Sequence, residues 1–293
     1  MSLEFYQQLP QLINPIAFSV GAVAVRWYSL MYLLGFLVVY FLLQWRIKKG
    51  EAIKFELAND LPTKQVGKLQ DMMLDFMLAS FVGGLIGGRL GYALFYNLPY
   101  FLAHPLQLIS PYDFASHAFV GLYGMSFFGA LVGGVLGAYF FAKRRKLDFL
   151  RLADFVVPAL PAGYFFGRVG NFLNGELVGR VTTSQWGMYF SNSSAVLRMP
   201  SQLLEALLEG ALLFVILWLS RKQEKFVSGF LLVIYFFGYG LARFGCEFFR
   251  QPDSQIGFMH GGFTLGQIFS LLLICFSIGW LFFNYRKGAI LKK

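Results

Sequence analysis

WYSLMYLLGFLVVYFLLQWRIKK, residues 27–49, begins with nineteen uncharged, mostly apolar residues and ends in a basic cluster. About 20 mostly apolar residues cross the hydrocarbon core of a membrane as one helix. Basic residues that flank such a helix lie on its cytoplasmic side. The stretch therefore predicts a membrane-spanning helix whose C-terminal end faces the cytoplasm. Composition agrees, because 57% of the 293 residues are hydrophobic and only 14% are charged, against roughly 25% in soluble domains.

Basic clusters along the rest of the chain decide how many spans we predict. Four clusters, at 46–68, 143–151, 221–225 and 286–293, hold 18 of the 25 lysines and arginines. The positive-inside rule places all four in the cytoplasm, so each interval between clusters holds an even number of crossings, and the apolar runs supply two. We predict an all-α integral membrane protein with seven transmembrane helices, the N-terminus outside and the C-terminus inside, at 22–45, 74–96, 119–142, 152–170, 203–220, 228–246 and 263–284.

Polar segments complete the prediction of one transmembrane domain, residues 1–293. Segment 176–200 is the longest polar stretch on the non-cytoplasmic side and predicts a small external cap between spans four and five. The N-terminal segment, to about Val20, predicts an interfacial arm on the outer surface. Residues 51–71 predict a charged cytoplasmic loop.

The formal charge of +10 does not indicate a nucleic-acid partner, because the basic residues form the cytoplasmic clusters. Cys246 and Cys275 lie in apolar runs, so we interpret them as small buried hydrophobic residues. We expect no cofactor and no metal site. Small residues let helices approach closely in lipid, and glycines recur every fourth residue at positions 83, 87 and 91, at 129, 133 and 137, and at 163 and 167.

Every basic residue outside the cytoplasmic clusters is an arginine, and these are Arg26, Arg89, Arg168, Arg180, Arg198, Arg243 and Arg250. An arginine at the middle of a span costs at least about 2.5–3.5 kcal/mol, and its planar fork binds a phosphate with two hydrogen bonds. The pattern therefore predicts an anion site toward the non-cytoplasmic side. Snorkelling to the interface is the alternative for Arg26 and Arg198. Internal ion pairs are the other alternative, with the candidates Arg243–Glu247, Arg168–Glu176, and Arg89 with Asp75 or another acid.

The densest polar stretch is GRVGNFLNGELVGR, residues 167–180. In a helix, Arg168 and Asn171 share a face, and the glycines allow the helix to end or break there. A helix that ends at the outer membrane surface, lined by arginine and asparagine, is suited to bind an anion. The sixth predicted span and its exit supply a second polar group, namely Tyr239, Arg243, Glu247, Arg250, Gln251, Pro252 and Asp253.

Residues 167–180 resemble the signature GRxGNFxNGExxGR of the prolipoprotein diacylglyceryl transferase family of bacterial inner membranes. Other segments similar to that family are RWYSLMY at 26–32, GGRLGY at 87–92, PSQ at 200–202 followed by Glu205 and Glu209, and GYGLARFGCEFFRQPD at 238–253. The resemblance covers nearly the whole chain. It implies a seven-span fold with an external N-terminus, in agreement with the charge pattern.

The resemblance implies an enzyme that moves an sn-1,2-diacylglyceryl group from phosphatidylglycerol to the lipobox cysteine of a preprolipoprotein and releases glycerol phosphate. It would work in the bacterial inner membrane, surrounded by membrane lipid. Arg168 and Arg243, with Asn171, are the implied catalytic residues, because guanidinium groups stabilise a departing phosphate. The implied substrate-binding residues, some of which orient the arginines, are Tyr28, Glu176, Gly179, Tyr239, Glu247 and Arg89.

Phe128 is a departure from the family pattern. It stands in GMSFFGA, residues 124–130, where the family usually carries a histidine, and phenylalanine cannot accept a proton. Three interpretations follow. The histidine is dispensable, or the chain is an altered paralogue that binds phosphatidylglycerol or lipoprotein. In the third, another residue takes the place of the histidine, with the candidates His104, His117, Tyr28 and Glu247. A transporter or flippase is a further class, but we find no internal repeat that supports it.

Overall fold

A computed structural model describes residues 2–21, 23–55, 66–110, 112–113, 118–119, 124–191, 196–222, 227–252 and 257–286. Five of its helices are long and apolar enough to cross a membrane: Trp27–Lys48, Val66–Tyr96, Phe149–Asn174, Ser201–Ser220 and Leu265–Arg286. Phe230–Cys246 is a shorter apolar helix, and Phe127–Arg144 has 18 residues. Each of the seven predicted spans therefore falls on a helix of the structure.

In chain order, the helices are α1 (Leu3–Leu12), α2 (Trp27–Lys48), α3 (Glu51–Lys54), α4 (Val66–Tyr96), α5 (Leu98–Ala103), α6 (Phe127–Arg144), α7 (Phe149–Val156), α8 (Leu160–Asn174), α9 (Ser201–Glu205), α10 (Leu213–Ser220), α11 (Phe230–Cys246) and α12 (Leu265–Arg286). A 3-10 turn, Val157–Ala159, joins α7 to α8, and a π turn, Ala206–Leu212, joins α9 to α10. Two antiparallel hairpins, β1 (Ile16–Val20) with β2 (Val23–Arg26) and β3 (Tyr112–Asp113) with β4 (Ala118–Phe119), depart from the all-α prediction.

Local hydrogen bonding explains why two helices begin later than predicted. The hairpin of β1 and β2 occupies the start of the first predicted span, so α2 begins at Trp27, whose backbone N–H donates to the carbonyl of Pro15 at 3.0 Å. The third span begins at Phe127 rather than residue 119, because the Ser126 hydroxyl caps α6 by accepting from the Gly129 N–H at 3.3 Å. Helix α4 extends back to Val66, into the predicted loop 51–71.

The chain divides into two compact units, and the first comprises Met1–Phe55 with Ala153–Lys293. In this unit α2 packs along α8, and α11 packs along α12. The backbones of α2 and α8 touch, because a Cβ added to Gly35 would lie 2.8 Å from the carbonyl oxygen of Gly163. Close helix packing at Gly163, predicted from the glycine spacing, is confirmed.

The second unit is Glu56–Leu152, in which α4 packs along α6. Glycines of the two helices face one another. A Cβ added to Gly87 would lie 2.7 Å from the Cα of Gly133, and one added to Gly91 would lie 2.9 Å from the Cα of Gly129. The two glycine repeats therefore allow direct backbone contact in this unit, as predicted.

Segment 176–200, described except for 192–195, folds together with the N-terminal helix α1. The Tyr6 hydroxyl donates to the carbonyl of Trp186 at 3.2 Å, and the Tyr189 N–H donates to the carbonyl of Gln7 at 2.8 Å. Beneath them lies an apolar cluster of Phe172, Met188 and Phe190, packed against Tyr6, Ile13, Leu173, Val178 and Leu203. Because Phe172 belongs to α8, this cluster seats the segment over the C-terminal end of α8.

Candidate active site

Helix α8 carries three polar side chains on one face, at positions 164, 168 and 171. The spacing of four and three residues places them in a row along the helix. Arg168 Nε donates to the Tyr164 hydroxyl at 2.7 Å, and its Nη1 donates to Asn171 Oδ1 at 3.2 Å. The guanidinium also lies 4.8 Å from the centroid of the Tyr164 ring. These contacts hold the arginine fork in one orientation.

Gly175 ends α8 in a way that brings Glu176 to Asn171. Its φ of 65° is left-handed, a conformation that glycine adopts without strain. The N–H of Gly175 donates to the carbonyl of Phe172 at 3.0 Å, and the N–H of Glu176 donates to that of Asn171 at 3.1 Å, which is a common helix ending. As a result Asn171 Nδ2 donates to Glu176 Oε1 at 2.9 Å.

Helix α9 and the π turn contribute two carboxylates that are almost fully buried, those of Glu205 and Glu209. Glu205 Oε2 lies 2.9 Å from Arg168 Nε and 3.2 Å from Arg243 Nη1, so one oxygen joins the two arginines. Glu209 Oε1 lies 3.8 Å from Arg243 Nη1, while Oε2 accepts a hydrogen bond from Tyr164. π turns inside α-helices occur frequently at functional sites.

Helix α11 places Arg243 opposite α8 and leads into Glu247. Arg243 Nη2 donates to Glu247 Oε1, and Glu247 Oε2 accepts from the Thr264 hydroxyl at 2.6 Å. Thr264 is held in turn, because its N–H donates to Gln267 Oε1 at 3.0 Å at the start of α12. One turn before Arg243, the Tyr239 ring lies 5.9 Å from the Tyr164 ring, edge to face.

Ion pairs join six side chains into one group, which we call the ion-pair cluster: Arg168, Arg243, Arg250, Glu205, Glu209 and Glu247. Its formal charges cancel, three positive against three negative. An unpaired charge buried in a membrane protein is strongly unfavourable, and pairing each charge with an opposite one offsets part of that cost. The cluster is not sealed, because Arg168 and Arg243 each keep 13% of the side chain exposed.

The structure brings together six of the nine predicted site residues: Arg168, Arg243, Asn171, Glu176, Tyr239 and Glu247. The half-buried Tyr28 is adjacent, because its Cα lies 3.4 Å from where a Cβ on Gly170 would stand. Gly179 contributes no side chain. Its N–H donates to the carbonyl of Met199 at 2.9 Å, and its own carbonyl accepts from Arg198 Nη1 at 3.1 Å.

Arg89 belongs to the second unit, where its guanidinium donates to backbone carbonyls. It reaches the carbonyls of Gln107 at 2.5 Å, Leu108 at 3.0 Å and Gly124 at 3.3 Å. The proposed partner Asp75 instead accepts from Arg145 at 3.2 Å. Of the three ion pairs considered from the sequence, only Arg243–Glu247 forms within the described residues. Arg168 and Glu176 are bridged by Asn171 instead.

Three residues of this arrangement were not predicted as site residues from the sequence, namely Tyr164, Glu205 and Glu209, although the two glutamates belong to the quoted family pattern. A signal was available. Glu205 and Glu209 are the only acidic residues of an otherwise apolar predicted span, 203–220. Ionisable residues inside membrane helices mark functional positions by default.

No histidine belongs to the ion-pair cluster in the part of the chain that the structure describes. His104 lies in the second unit, exposed, with Nδ1 3.2 Å from the carbonyl of Tyr100. His117 and the side chain of His260 lie outside the described residues. Phe128 is in the second unit and 40% exposed. Across the same described residues, no group of three or more His, Cys, Asp or Glu is placed to hold a metal ion.

Comparison with known proteins assigns this arrangement to a family. The family model for prolipoprotein diacylglyceryl transferase matches residues 15–283. Three similar proteins are each named phosphatidylglycerol–prolipoprotein diacylglyceryl transferase. The one from Chlorobaculum tepidum is 44% identical over 97% of this chain and 94% of its own length. Those from Aliarcobacter butzleri and Campylobacter lari are 39% identical over 99% and 98% of this chain and 100% of their own lengths. The chain therefore belongs to the prolipoprotein diacylglyceryl transferase family.

Proposed function

We propose that this multi-pass membrane protein is a phosphatidylglycerol–prolipoprotein diacylglyceryl transferase that acts on the lipobox cysteine of preprolipoproteins, the first step of lipoprotein maturation. The family match over residues 15–283 supports this activity, as do relatives of that name that align with nearly the whole chain. The comparisons give no support to an altered paralogue.

The reaction places its new charge on the phosphate. The cysteine sulfur, as thiolate, attacks the terminal glyceryl carbon. A C–S bond forms, and the bond between the same carbon and the phosphate oxygen breaks. That oxygen keeps the electron pair and leaves as part of glycerol phosphate. The thiol proton is released. A phosphodiester carries one negative charge, whereas a phosphate monoester carries about −1.5 to −2 near neutral pH. Groups that bind this extra charge stabilise the transition state more than the bound lipid.

One observation carries the proposal: the two arginines keep unused N–H groups, and their side chains are partly exposed. Among the described residues, Arg168 Nη2 and Arg243 Nε have no hydrogen-bond partner, and both side chains are partly exposed. Arg168 Nε and Nη1 donate to Tyr164 and Asn171, and Arg243 Nη2 donates to Glu247. Arg243 Nη1 lies beside Glu205, buried and without a hydrogen bond. The fork is thus fixed by the protein while donors remain for a phosphate, which is the preorganisation that electrostatic catalysis needs.

The other predicted residues take supporting roles in this proposal. Asn171 and Glu176 orient Arg168, and Glu247 orients Arg243, through the hydrogen bonds described above. Tyr239 packs behind the arginines, and Tyr28, beside Gly170, positions the headgroup. Gly179 serves through its backbone alone. Arg89 stays a substrate-binding prediction in the second unit.

The orientation in the membrane belongs to the same proposal. We place seven crossings in the bacterial inner membrane, with the N-terminus outside and segment 176–200 as an external cap. Helices at the predicted positions support this arrangement, as do the four basic clusters of the sequence, which the positive-inside rule assigns to the cytoplasm. The cap and α1 would then lie at the outer surface, where both phosphatidylglycerol and a secreted lipobox segment are available.

The experiment is a transfer assay on the purified chain in detergent micelles that contain phosphatidylglycerol and a lipobox peptide. We expect the peptide to gain the mass of one diacylglyceryl group, and glycerol phosphate to appear in equal amount. Replacing the lipobox cysteine by serine is the matched control and should abolish the product. If the Chlorobaculum tepidum relative forms product under the same conditions and this chain forms none, the proposed function is wrong.

A further inference from the structure

One face of α9 and the π turn presents oxygen atoms that accept no hydrogen bond. Among the described residues, Gln202 Oε1, both carboxylate oxygens of Glu205 and Glu209 Oε1 are fully buried without a hydrogen-bond partner. These residues follow one another at spacings of three and four, so they line one side of the helix. The ion pairs of Glu205 bring positive charge close but lack hydrogen-bond geometry. Buried acceptors are normally satisfied, so this row of oxygens indicates a missing donor.

A donor without an acceptor lies in the same place. Arg243 Nη1 is buried and makes no hydrogen bond, although it stands 3.2 Å from Glu205 Oε2 and 3.8 Å from Glu209 Oε1. An anion would satisfy only this donor, and an ammonium group would satisfy only the acceptors. A hydroxyl group both donates and accepts. It also adds no charge to the ion-pair cluster beyond that of the lipid phosphate.

We propose that Gln202, Glu205 and Glu209 bind the hydroxyl groups of the phosphatidylglycerol headgroup and so select this lipid by its glycerol. The inference rests on the proposed function. The phosphate occupies the free N–H groups of Arg168 and Arg243, and the headgroup glycerol extends from it toward the unpaired oxygens. Both parts meet at Glu205, which pairs with both arginines. A site built to hydrogen-bond a substrate hydroxyl rejects an analogue that lacks it, because the buried polar groups then stay unpaired.

The test compares phosphatidylglycerol with phosphatidylpropanol, whose headgroup has the same number of carbons and the same charge but no hydroxyl. For the wild-type chain we expect kcat/KM to favour phosphatidylglycerol by at least about 100-fold, a modest version of the discrimination that such sites reach. Gln202→Leu removes the Oε1 acceptor, together with the hydrogen bond that Gln202 Nε2 donates to the carbonyl of Glu176 at 2.7 Å. It should lower this ratio severalfold or more, mainly through a loss with phosphatidylglycerol.

Ser201→Ala is the matched control, because Ser201 is a buried neighbour whose hydroxyl already donates to the carbonyl of Leu177 at 3.3 Å. It should leave the ratio at the wild-type value. Equal use of the two lipids by the wild type would overturn the inference while leaving the proposed function intact. An unchanged ratio in Gln202→Leu would also overturn it. Failure of the wild type with phosphatidylglycerol itself is the separate result that removes the proposed function.

Loss of all transfer in Gln202→Leu would still leave a decisive measurement. Each lipid bound to the folded chain raises its unfolding temperature. In the wild type we expect a larger rise with phosphatidylglycerol than with phosphatidylpropanol, and in Gln202→Leu we expect equal rises. A rise that stays larger with phosphatidylglycerol in that variant would count against Gln202 as a headgroup ligand.

Discussion

At Arg168, one guanidinium contacts Tyr164, Asn171 and Glu205 and keeps a free N–H group. Arg168→Lys retains the charge but replaces the fork by a point donor. A lysine cannot hold these partners and a phosphate together. We expect kcat of diacylglyceryl transfer to fall by about 10²–10³-fold, as it does when one transition-state donor is removed. The transfer assay on purified variants measures this.

Arg198→Lys is the control for that substitution. Arg198 makes a hydrogen bond to the carbonyl of Gly179 from outside the ion-pair cluster, and a lysine can supply one such donor. We expect its rate to stay close to that of the wild type. Full activity in Arg168→Lys would contradict the role given to its fork.

Phe128 allows a second test at the scale of single residues. If the departing phosphate is stabilised by arginines, the histidine usual at this position in the family is not required here. Phe128→His should then leave the transfer rate essentially unchanged, since the partly exposed side chain has space for the ring. A large gain in rate would instead show that this chain is impaired by its phenylalanine and would revive the interpretation as an altered paralogue.

At the scale of elements, the contact of α4 with α6 depends on glycine. In Gly87→Ala the new Cβ would stand 2.7 Å from the Cα of Gly133, and backbone cannot move aside as a side chain can. We expect a clearly lower unfolding temperature in detergent. Gly67→Ala, in the same helix, meets no heavy atom within 4 Å. Because alanine favours helix over glycine, Gly67→Ala should unfold at the same temperature or slightly higher.

The start of α11 depends on a side chain from another helix. Asp154 accepts from the N–H of Gly229 at 2.7 Å with one oxygen and from that of Leu232 at 3.0 Å with the other. Asp154→Asn leaves one acceptor, so we expect a loss of about 1.5–3 kcal/mol, the contribution of one hydrogen bond to a charged group. Chemical denaturation in detergent measures it.

Asp148→Asn is the matched control for the capping of α11. Asp148 accepts from the N–H groups of both Leu150 and Arg151 with a single oxygen, Oδ1, and asparagine retains such an oxygen. Its side chain is also 50% exposed. Stability should therefore change little. A similar loss in both variants would show that charge rather than the second hydrogen bond matters at Asp154.

At the scale of the whole molecule, the proposed topology predicts which positions are reachable from outside. Thr183, in segment 176–200, and Lys222, in a basic cluster, are both exposed in the structure. Cys275 is exposed in the structure, against its interpretation as a buried residue, so it is first replaced by serine. In this background we expect Thr183→Cys to react with a membrane-impermeant maleimide in intact spheroplasts. Lys222→Cys should react only after permeabilisation. The reverse pattern would invert the orientation.

Long-range properties of the chain could be predicted from sequence because their signals are periodic or repeated. Apolar run length and basic clusters located the helices, and glycine spacing located the contacts of Gly163 and Gly87. The site was predicted in part, since Arg168, Asn171 and Glu176 lie in one stretch, and helical geometry brings them together. Their joining to Arg243 through Glu205 could not be predicted. That contact depends on how α8, α9 and α11 pack, and no local pattern specifies it.

The π turn Ala206–Leu212 has a consequence for chain length that hydropathy does not reveal. A π turn holds one residue more than the α turn it replaces, so deleting one residue between Glu205 and Glu209 would restore ordinary α-helical winding and leave the segments on either side close to their present orientation. The two glutamates would then be three residues apart and would still share one face of the helix. The same deletion within α10 would instead turn every residue beyond it by about 100°, because α-helical winding has no extra residue to give up.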